Sequence, residues 1–259
     1  MIFEKPSTRT RISFDIAAKQ LGGSTITLNP DGIHYGKGDE SLKDTAKVLS
    51  EYADIIMLRT SNHNNLKEFA KFSEIPLING LSEKGHPCQI LSDILTFEET
   101  KGEIKGKTLA WIGDGNNNMS NSFIEASVKL GFQLNIGCPK LYSPQNKIVN
   151  WAKRNKAKLF ITNDPIKAVE NADCVMTDKW VSMNDKVNKK KKKKNLEKYQ
   201  VNKKLMNKAK NDAIFMHCLP VGRGEEVTNE VIDGEQSVVW RQALNRVHAQ
   251  KSIIKWCLD

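Results

Sequence analysis

The stretch KTLAWIGDGNNNMSNSFIEASVKLGFQLNI, residues 107–136, decides the fold. Its opening residues, 107–112, are an apolar strand pattern. Gly113-Asp114-Gly115 breaks that strand, residues 119–130 read as a helix, and 132–136 read as a second strand. Two strands joined through a helix cannot form a tight hairpin. The crossover makes them parallel members of one sheet.

The alternation continues on both sides. Downstream, residues 144–155 read as a helix, 158–161 as a strand, 165–172 as a helix and 173–176 as a strand. A polar loop at 178–194 and a helix at 195–210 follow. Strands at 213–216 and 237–239 lead to a closing helix at 241–258, whose Ala243, Val247, Ile254 and Leu258 suit docking on the body. Upstream, a first helix shows Ile12, Ile16, Ala17 and Leu21 at helical spacing. Then come a strand at 24–28, a loop at 31–40, a helix at 41–53, a strand at 54–58, a helix at 63–73, a strand at 75–78 and a turn at Asn79-Gly80. His86-Pro87-Cys88-Gln89 opens another helix, buried through Ile90, Leu91, Ile94 and Leu95. Proline suits its first position, where an N–H has no intrahelical partner anyway. Residues 100–106, with Gly102 and Gly106, interrupt the pattern. The expectation is an α/β chain of two domains, each a mostly parallel sheet flanked by helices. They span 1–100 and 107–240, with a C-terminal helix at 241–259 packing back towards the first.

The chain has 259 residues, 39% of them apolar, enough for a sizeable core. No apolar run approaches the roughly 20 residues of a membrane span. The five cysteines are scattered and contain no C-x-x-C, which points to reduced thiols and a cytoplasmic location. The net charge of +10 suggests nucleic acid until it is located. Residues 186–210 hold 12 lysines against one acid, Glu197, so the rest of the chain is close to neutral. No aromatic residues interleave with the lysine run 189–194 as a stacking platform requires. That run reads as a solvated, mobile loop, and no nucleic-acid or membrane partner is expected.

Phe3-Glu4-Lys5-Pro6-Ser7-Thr8-Arg9-Thr10-Arg11 carries the first chemical signal. Ser7 or Thr8 suits an N-cap, and a helix N-terminus attracts anions. Arg9 and Arg11 add donor forks that match phosphate. A phosphate cradle and a merely capped surface helix are both open from this stretch alone. Gly113-Asp114-Gly115 lacks the third glycine and the later acid of a dinucleotide fingerprint. Asn116, Asn117 and Asn118 instead offer neutral donors and acceptors suited to an amino acid. Asp178, with Ser182 four residues on, suits an ammonium group. His217-Cys218 suggests zinc or a thiol nucleophile, but the ligand spacings of a zinc site are missing, as is G-x-S-x-G.

Taken together, these stretches resemble the aspartate and ornithine carbamoyltransferase family. The opening motif is similar to its carbamoyl-phosphate signature and His86-Pro87-Cys88-Gln89 to its second phosphate-site motif. Asp178-x-Trp180-Val181-Ser182-Met183 and His217-Cys218-Leu219-Pro220 are similar to the ornithine branch. The resemblance runs from residue 1 to the last helix, in the family's order.

The resemblance implies an active site in the cleft between the two domains. There the carbamoyl group of carbamoyl phosphate passes to the side-chain amine of L-ornithine, with no metal or cofactor. Ser7, Thr8, Arg9, Thr10 and Arg59 are expected on the phosphate, and His86, Gln89 and Arg246 on the carbamoyl group. His34 matches a loop position that reaches a neighbouring subunit's site, in a homotrimer or a multiple of trimers. Asn118 (by its spacing to Ser122, preferred over Asn117), Asp178, Ser182 and Met183 are expected to grip ornithine's α-groups. Cys218 and Leu219 are expected beside its side-chain amine, with Cys218 and Asp178 accepting or relaying the proton. The alternatives are a related transcarbamylase with another acceptor, or an inactive carbamoyl-phosphate-binding protein. The family usually carries a few dozen residues before the first signature, a helix and a strand expected to be missing here. It also usually has glycine where this chain has Asn184.

Overall fold

The computed structural model describes residues 1–29, 40–181 and 188–259. They form two units: Met1–Ser92 with Leu244–Asp259, and Asp93–Ala243. The architecture is the parallel α/β one that the alternation implies.

In the first unit, β1 (Ile2–Phe3), β2 (Ile56–Arg59) and β3 (Leu77–Leu81) form a parallel sheet in that order. The helices around it are α1 (Thr8–Gln20), α2 (Leu42–Tyr52), α3 (His63–Phe72), the start of α4 (Pro87–Lys101) and most of α11 (Val239–Leu258). Strand side chains alternate between faces. Ile2, Ile56 and Leu58 therefore pack with Ala46 and Phe69 of α2 and α3. Phe3, Met57 and Ile78 pack on the other side with Phe14 and Ala17 of α1, Cys88 of α4 and Ile254 of α11. Covered on both faces, β2 has to be apolar at every position but its last.

The second unit holds β4 (Thr108–Ile112), β5 (Gln133–Gly137), β6 (Lys158–Thr162), β7 (Cys174–Thr177) and β8 (Ile214–His217). All pairings are parallel, in the order β6-β5-β4-β7-β8. The chain builds outward from β4 in one direction, then returns to place β7 on β4's other side. This reversal is a topological switch point, and the crevice beyond its strand ends is where open α/β sheets bind ligands. The remaining helices are α5 (Asn118–Leu130), α6 (Asn146–Arg154), α7 (Pro165–Val169), α8 (Lys189–Leu196), α9 (Lys203–Met206) and α10 (Asn229–Ile232). No described helix is long and apolar enough to cross a membrane.

Several local expectations are corrected. Residues 24–28 form no strand; Leu28 makes a single parallel bridge to Ile2, and the strand there is the two-residue β1. Asn79-Gly80 is not a turn but lies within β3, where a Cβ on Gly80 would fall 2.2 Å from Met57 Sδ. A larger residue there would force the buried Met57 side chain of β2 to shift. Residues 237–239 form no strand: Ser237 makes a single bridge to Phe215, and Val239 already begins α11. The lysine run is not a loop: 189–194 lie in α8, capped by Asn188. Helix α8 is followed by a 3₁₀ turn (Glu197–Tyr199) and the short α9, in place of one long helix. The expected loop at 31–40 falls, except for Glu40, outside the described residues.

Helix faces also differ from the apolar stripes read in the sequence. On α1 the buried residues are Thr10, Ser13, Phe14 and Ala17, while Ile12, Ile16 and Leu21 are exposed. On α4 Leu91 is exposed, and Gln89, Ser92, Asp93 and Thr96 are buried. On α11 Leu258 is exposed, and Gln242, Asn245, Arg246 and Gln250 are buried. Three helices turn polar residues inward, and Thr10 of α1, Gln89 of α4 and Arg246 of α11 meet at the candidate site of the first unit.

Candidate active site

Ser7 caps α1, its Oγ accepting from Thr10 N at 3.4 Å. Such a cap contributes only about 1 kcal/mol. Its larger effect is geometric, because it fixes a positive helix end where Thr10 enters the core. The approach segment is fastened to the end of β2. Glu4 N donates to Arg59 O at 3.0 Å, and the Glu4 carboxylate accepts from Thr60 Oγ1 at 2.6 Å and Ser61 N at 3.3 Å. Arg59 is thereby placed beside the cradle.

Arg246 closes it. Its Nη1 donates to Gln89 Oε1 at 2.5 Å and its Nη2 to Thr10 Oγ1 at 3.0 Å. Thr10 Oγ1 also faces Arg59 Nη1 at 3.5 Å. A single guanidinium fork thus joins α11, α4 and α1. His86, 5% exposed, lies among these charges. Burial first, then the positive charges of Arg246, Arg59 and Arg9, hold its imidazole well below the usual 6.5. It is neutral at physiological pH, able to donate one hydrogen bond to a carbonyl oxygen without the cost of a buried cation. Arg11 does not join this group. Two residues from Arg9 on a helix, it faces another direction, donating to Asn29 Oδ1 at 2.5 Å and lying 5.2 Å from the Phe3 ring centroid. Burial pushes the Cys88 thiol up to about 12, so the cysteine of this motif packs as an apolar residue.

Protonation of His86 is expected to destabilise the first unit. The unfolded imidazole binds a proton below 6.5, which the folded one resists. Stability should therefore fall as pH drops below that value, by up to about 1.4 kcal/mol per pH unit. Urea unfolding of the ligand-free protein between pH 7 and pH 5 measures this slope. His86→Asn should flatten it, and an equal slope in that variant would disprove the assignment.

In the second unit the polar groups gather at the switch point. Trp111 pairs with Met176, so Gly113 and Asp178 leave β4 and β7 side by side. Gly113 has φ +121°, open to glycine and few others. Asn117 caps α5, its Oδ1 accepting from Ser120 N at 2.8 Å. Asn118 is the first helical residue, and its carbonyl accepts from Ser122 Oγ at 2.7 Å. Thr177 pairs with His217, which brings the residues that follow, Asp178 and Cys218, together. Cys218 Sγ donates to Asp178 Oδ1 at 3.3 Å, and Lys179 N donates to the same oxygen at 2.7 Å. Burial raises the Asp178 carboxyl above its usual 3.8, opposed by His217 and by these two donors. A carboxylate of raised basicity beside a thiol is equipped to take a proton from an amine.

His217 fixes the thiol's turn. Leu219 N donates to His217 Nδ1 at 2.9 Å, and the ring's Nε2 lies 3.2 Å from Glu226 Oε1. Gly222 N also donates to this Glu226 oxygen, and His217 N donates to Gln242 Oε1 at 2.9 Å. Leu219 is held at φ +56°, an uncommon conformation for leucine that these bonds enforce. Asp178, His217 and Cys218 offer three potential metal-ligand atoms within 4.8 Å of one another. Both ring nitrogens of His217 are already engaged, so the trio does not fit a metal ion.

The structure thus brings Thr10, Arg59, His86, Gln89 and Arg246 together in one unit, and Asp178 with Cys218 in the other. Ser7 and Thr8 form the helix start beside Thr10. His34, Ser182, Met183 and Asn184 lie outside the described residues. The sequence reading missed the fastening roles of Glu4, Thr60 and Glu226. Glu4 stood inside a quoted motif, but nothing local names its partner 56 residues away.

Comparison with known proteins gives the class first. Residues 1–99 match the family profile "Aspartate/ornithine carbamoyltransferase, carbamoyl-P binding domain", and 105–257 match "Aspartate/ornithine carbamoyltransferase, Asp/Orn binding domain". Both halves are those of a carbamoyltransferase. The chain belongs to the aspartate/ornithine carbamoyltransferase family. It is 53% identical over 258 residues to the ornithine carbamoyltransferase of Agrobacterium fabrum, a match covering 100% of this chain and 84% of that one. To the ornithine carbamoyltransferase of Rhodopseudomonas palustris it is 54% identical over 259 residues, covering 100% and 82%. Among solved structures, it is similar to ornithine carbamoyltransferase from Pyrococcus furiosus, with TM-score 0.94, 45% identity, and coverage of 100% and 83%. The anabolic ornithine carbamoyltransferase from Campylobacter jejuni gives TM-score 0.93, 37% identity, and coverage of 99% and 86%.

Proposed function

We propose that this chain transfers the carbamoyl group of carbamoyl phosphate to the side-chain amine of L-ornithine, giving L-citrulline and phosphate. The amine nitrogen attacks the carbamoyl carbon, the bond from that carbon to the phosphate oxygen breaks, and the nitrogen sheds its proton. Ser7, Thr8, Arg9, Thr10 and Arg59 take the phosphate. A dianion at a helix start flanked by guanidinium forks is held by charge and by geometry at once. Neutral His86 donates to the carbamoyl oxygen as negative charge develops there. One such donor is worth about 3–4 kcal/mol in another acyl-transfer enzyme. Gln89 takes the carbamoyl amide, and Arg246 holds Gln89 and Thr10 while reaching the same group. Asn118, the first residue of α5, takes the α-carboxylate of ornithine, while Asn117 Oδ1 is engaged in capping that helix. Asp178, with Ser182 and Met183, holds the α-amine. Cys218 and Asp178 receive or relay the proton, with Leu219 beside the side-chain amine.

The observation that carries this reading is the acid–thiol pair, Asp178 with Cys218, at the switch point. An aspartate-specific site needs a cation for a second carboxylate, whereas this strand end presents an acid. The test is a product assay with carbamoyl phosphate and a panel of acceptors. Citrulline from ornithine is expected, with aspartate and N-acylated ornithine left unreacted. Carbamoylation of either of those in preference to ornithine would overturn the assignment, and so would no turnover. A homotrimer, with His34 reaching a neighbouring subunit, and a cytoplasmic location are proposals of the same kind, carried by the family resemblance. Light scattering in solution tests the first.

A further inference from the structure

The lysine run that supplies the chain's excess charge has one member unlike the rest. Lys192 is 5% exposed, whereas Lys189, Lys190, Lys191 and Lys194 are exposed and Lys193 is half-buried. Four residues before Leu196 and seven before Tyr199, both fully buried, it lies on the inward stripe of the segment. Its Nζ lies 2.6 Å from Asp114 Oδ2, in an ion pair buried at both ends, and 5.5 Å from the Tyr142 ring centroid. Asp114 belongs to the turn that leaves β4. Its Oδ1 accepts from Asn116 N at 2.8 Å and its carbonyl from Trp111 Nε1 at 2.9 Å. The turn has no slack on its other side: a Cβ on Gly115 would fall 2.9 Å from Tyr142 O and 3.0 Å from Cys138 Sγ. One carboxylate therefore links α8 to the backbone that delivers Asn117 and Asn118.

A buried charge pair is a poor way to gain stability, because desolvation offsets most of the attraction. A methionine or leucine at position 192 would continue the stripe of Leu196 and Tyr199 at no such cost. What the pair supplies is a fixed geometry. We propose that Lys192 is a positioning residue for the acceptor amino acid, its buried ion pair with Asp114 holding the 113–118 turn where Asn118 meets the α-group of ornithine. The inference rests on the functional reading above for the identity of the acceptor.

The test uses the full chain with Lys192→Met, Lys192→Arg and, as a control on an exposed lysine of the same helix, Lys190→Met. KM for ornithine, KM for carbamoyl phosphate, kcat and thermal unfolding are measured for each. A small misplacement of a binding group can cost on the order of 100-fold. Lys192→Met should raise KM for ornithine at least tenfold and leave that for carbamoyl phosphate within about twofold. Lys192→Arg, which keeps the charge, should recover most of the loss, and Lys190→Met should behave as wild type. An unchanged ornithine KM in Lys192→Met, or a parallel rise for both substrates, overturns the proposal. If Lys192→Met does not fold, Asp114→Glu carries the test. It keeps the charge but displaces it by one methylene, and should raise the ornithine KM alone; an unchanged value overturns the proposal. Wild-type protein that turns over no ornithine overturns the functional reading and this inference with it. Wild-type turnover with insensitive variants overturns this inference alone.

Discussion

Arg246→Met should lower kcat/KM for carbamoyl phosphate by about 10²–10⁴-fold, with KM for ornithine little changed. Arg246 is 3% exposed, and its guanidinium makes two charge-assisted bonds, to Gln89 and Thr10. Each bond of this type is worth about 1.5–3 kcal/mol, and every 1.4 kcal/mol is tenfold. Methionine keeps most of the aliphatic stem, so the loss reports the fork and not a cavity. Arg246→Lys should recover only part of the activity, because an ammonium cannot serve Gln89 and Thr10 from one plane. The substitution also removes the largest charge acting on His86, so the imidazole should titrate closer to its ordinary value. Steady-state kinetics with each substrate varied, and NMR titration of His86, check both statements. A fall below threefold would show that Arg246 is packing alone.

Asp178→Asn should lower kcat/KM for ornithine by about 10²–10⁴-fold, the range for losing a positioned proton acceptor. Asparagine keeps the shape and still accepts from Cys218 and Lys179 N, but it carries no negative charge for an ammonium and takes no proton. Carbamoyl-phosphate binding should be unaffected, since none of its proposed ligands belongs to this group. Stability should move the other way. The carboxyl is raised above 3.8 in the fold, so its ionised form is disfavoured there relative to the unfolded chain. That cost is present in full above the folded value and disappears as pH falls towards 3.8. At pH 7 the variant should therefore be at least as stable as wild type, with an advantage that shrinks on acidification. Thermal scans at pH 7 and pH 4.5 measure it. A variant both inactive and less stable at pH 7 would show that Asp178 is structural.

The parallel alternation was legible because it is local. Each strand, turn and helix of 107–136 is written in neighbouring residues. The capped start of α1 was legible for the same reason: a hydroxyl cap, a helix start and an arginine are adjacent. What misled was hydrophobic periodicity on the helices that build the site. Ile12, Ile16, Ala17 and Leu21 look like the core face of α1, yet only Ala17 of these is inside, together with Thr10, Ser13 and Phe14. Such stripes can be buried only if each polar group finds a partner, and the partners are remote. Arg246 is 236 residues from Thr10 and 157 from Gln89. The lysine run misled in the same way. Five of its six members suit solvent, and only the position of Asp114 beside the sixth shows why that one is buried.

The sequence by itself determined the alternation and parallel sense of most strands, the residue types at their ends, and a hydroxyl-capped, arginine-bearing helix start. These follow from steric and hydrogen-bonding preferences acting over a few residues. Only the tertiary structure decided that α1, α4 and α11 turn polar faces inward, that His86 is neutral among arginines, and that Lys192 holds Asp114. Burial, charge and pairing at a given residue are set by what the chain's topology brings against it, and no local pattern carries that.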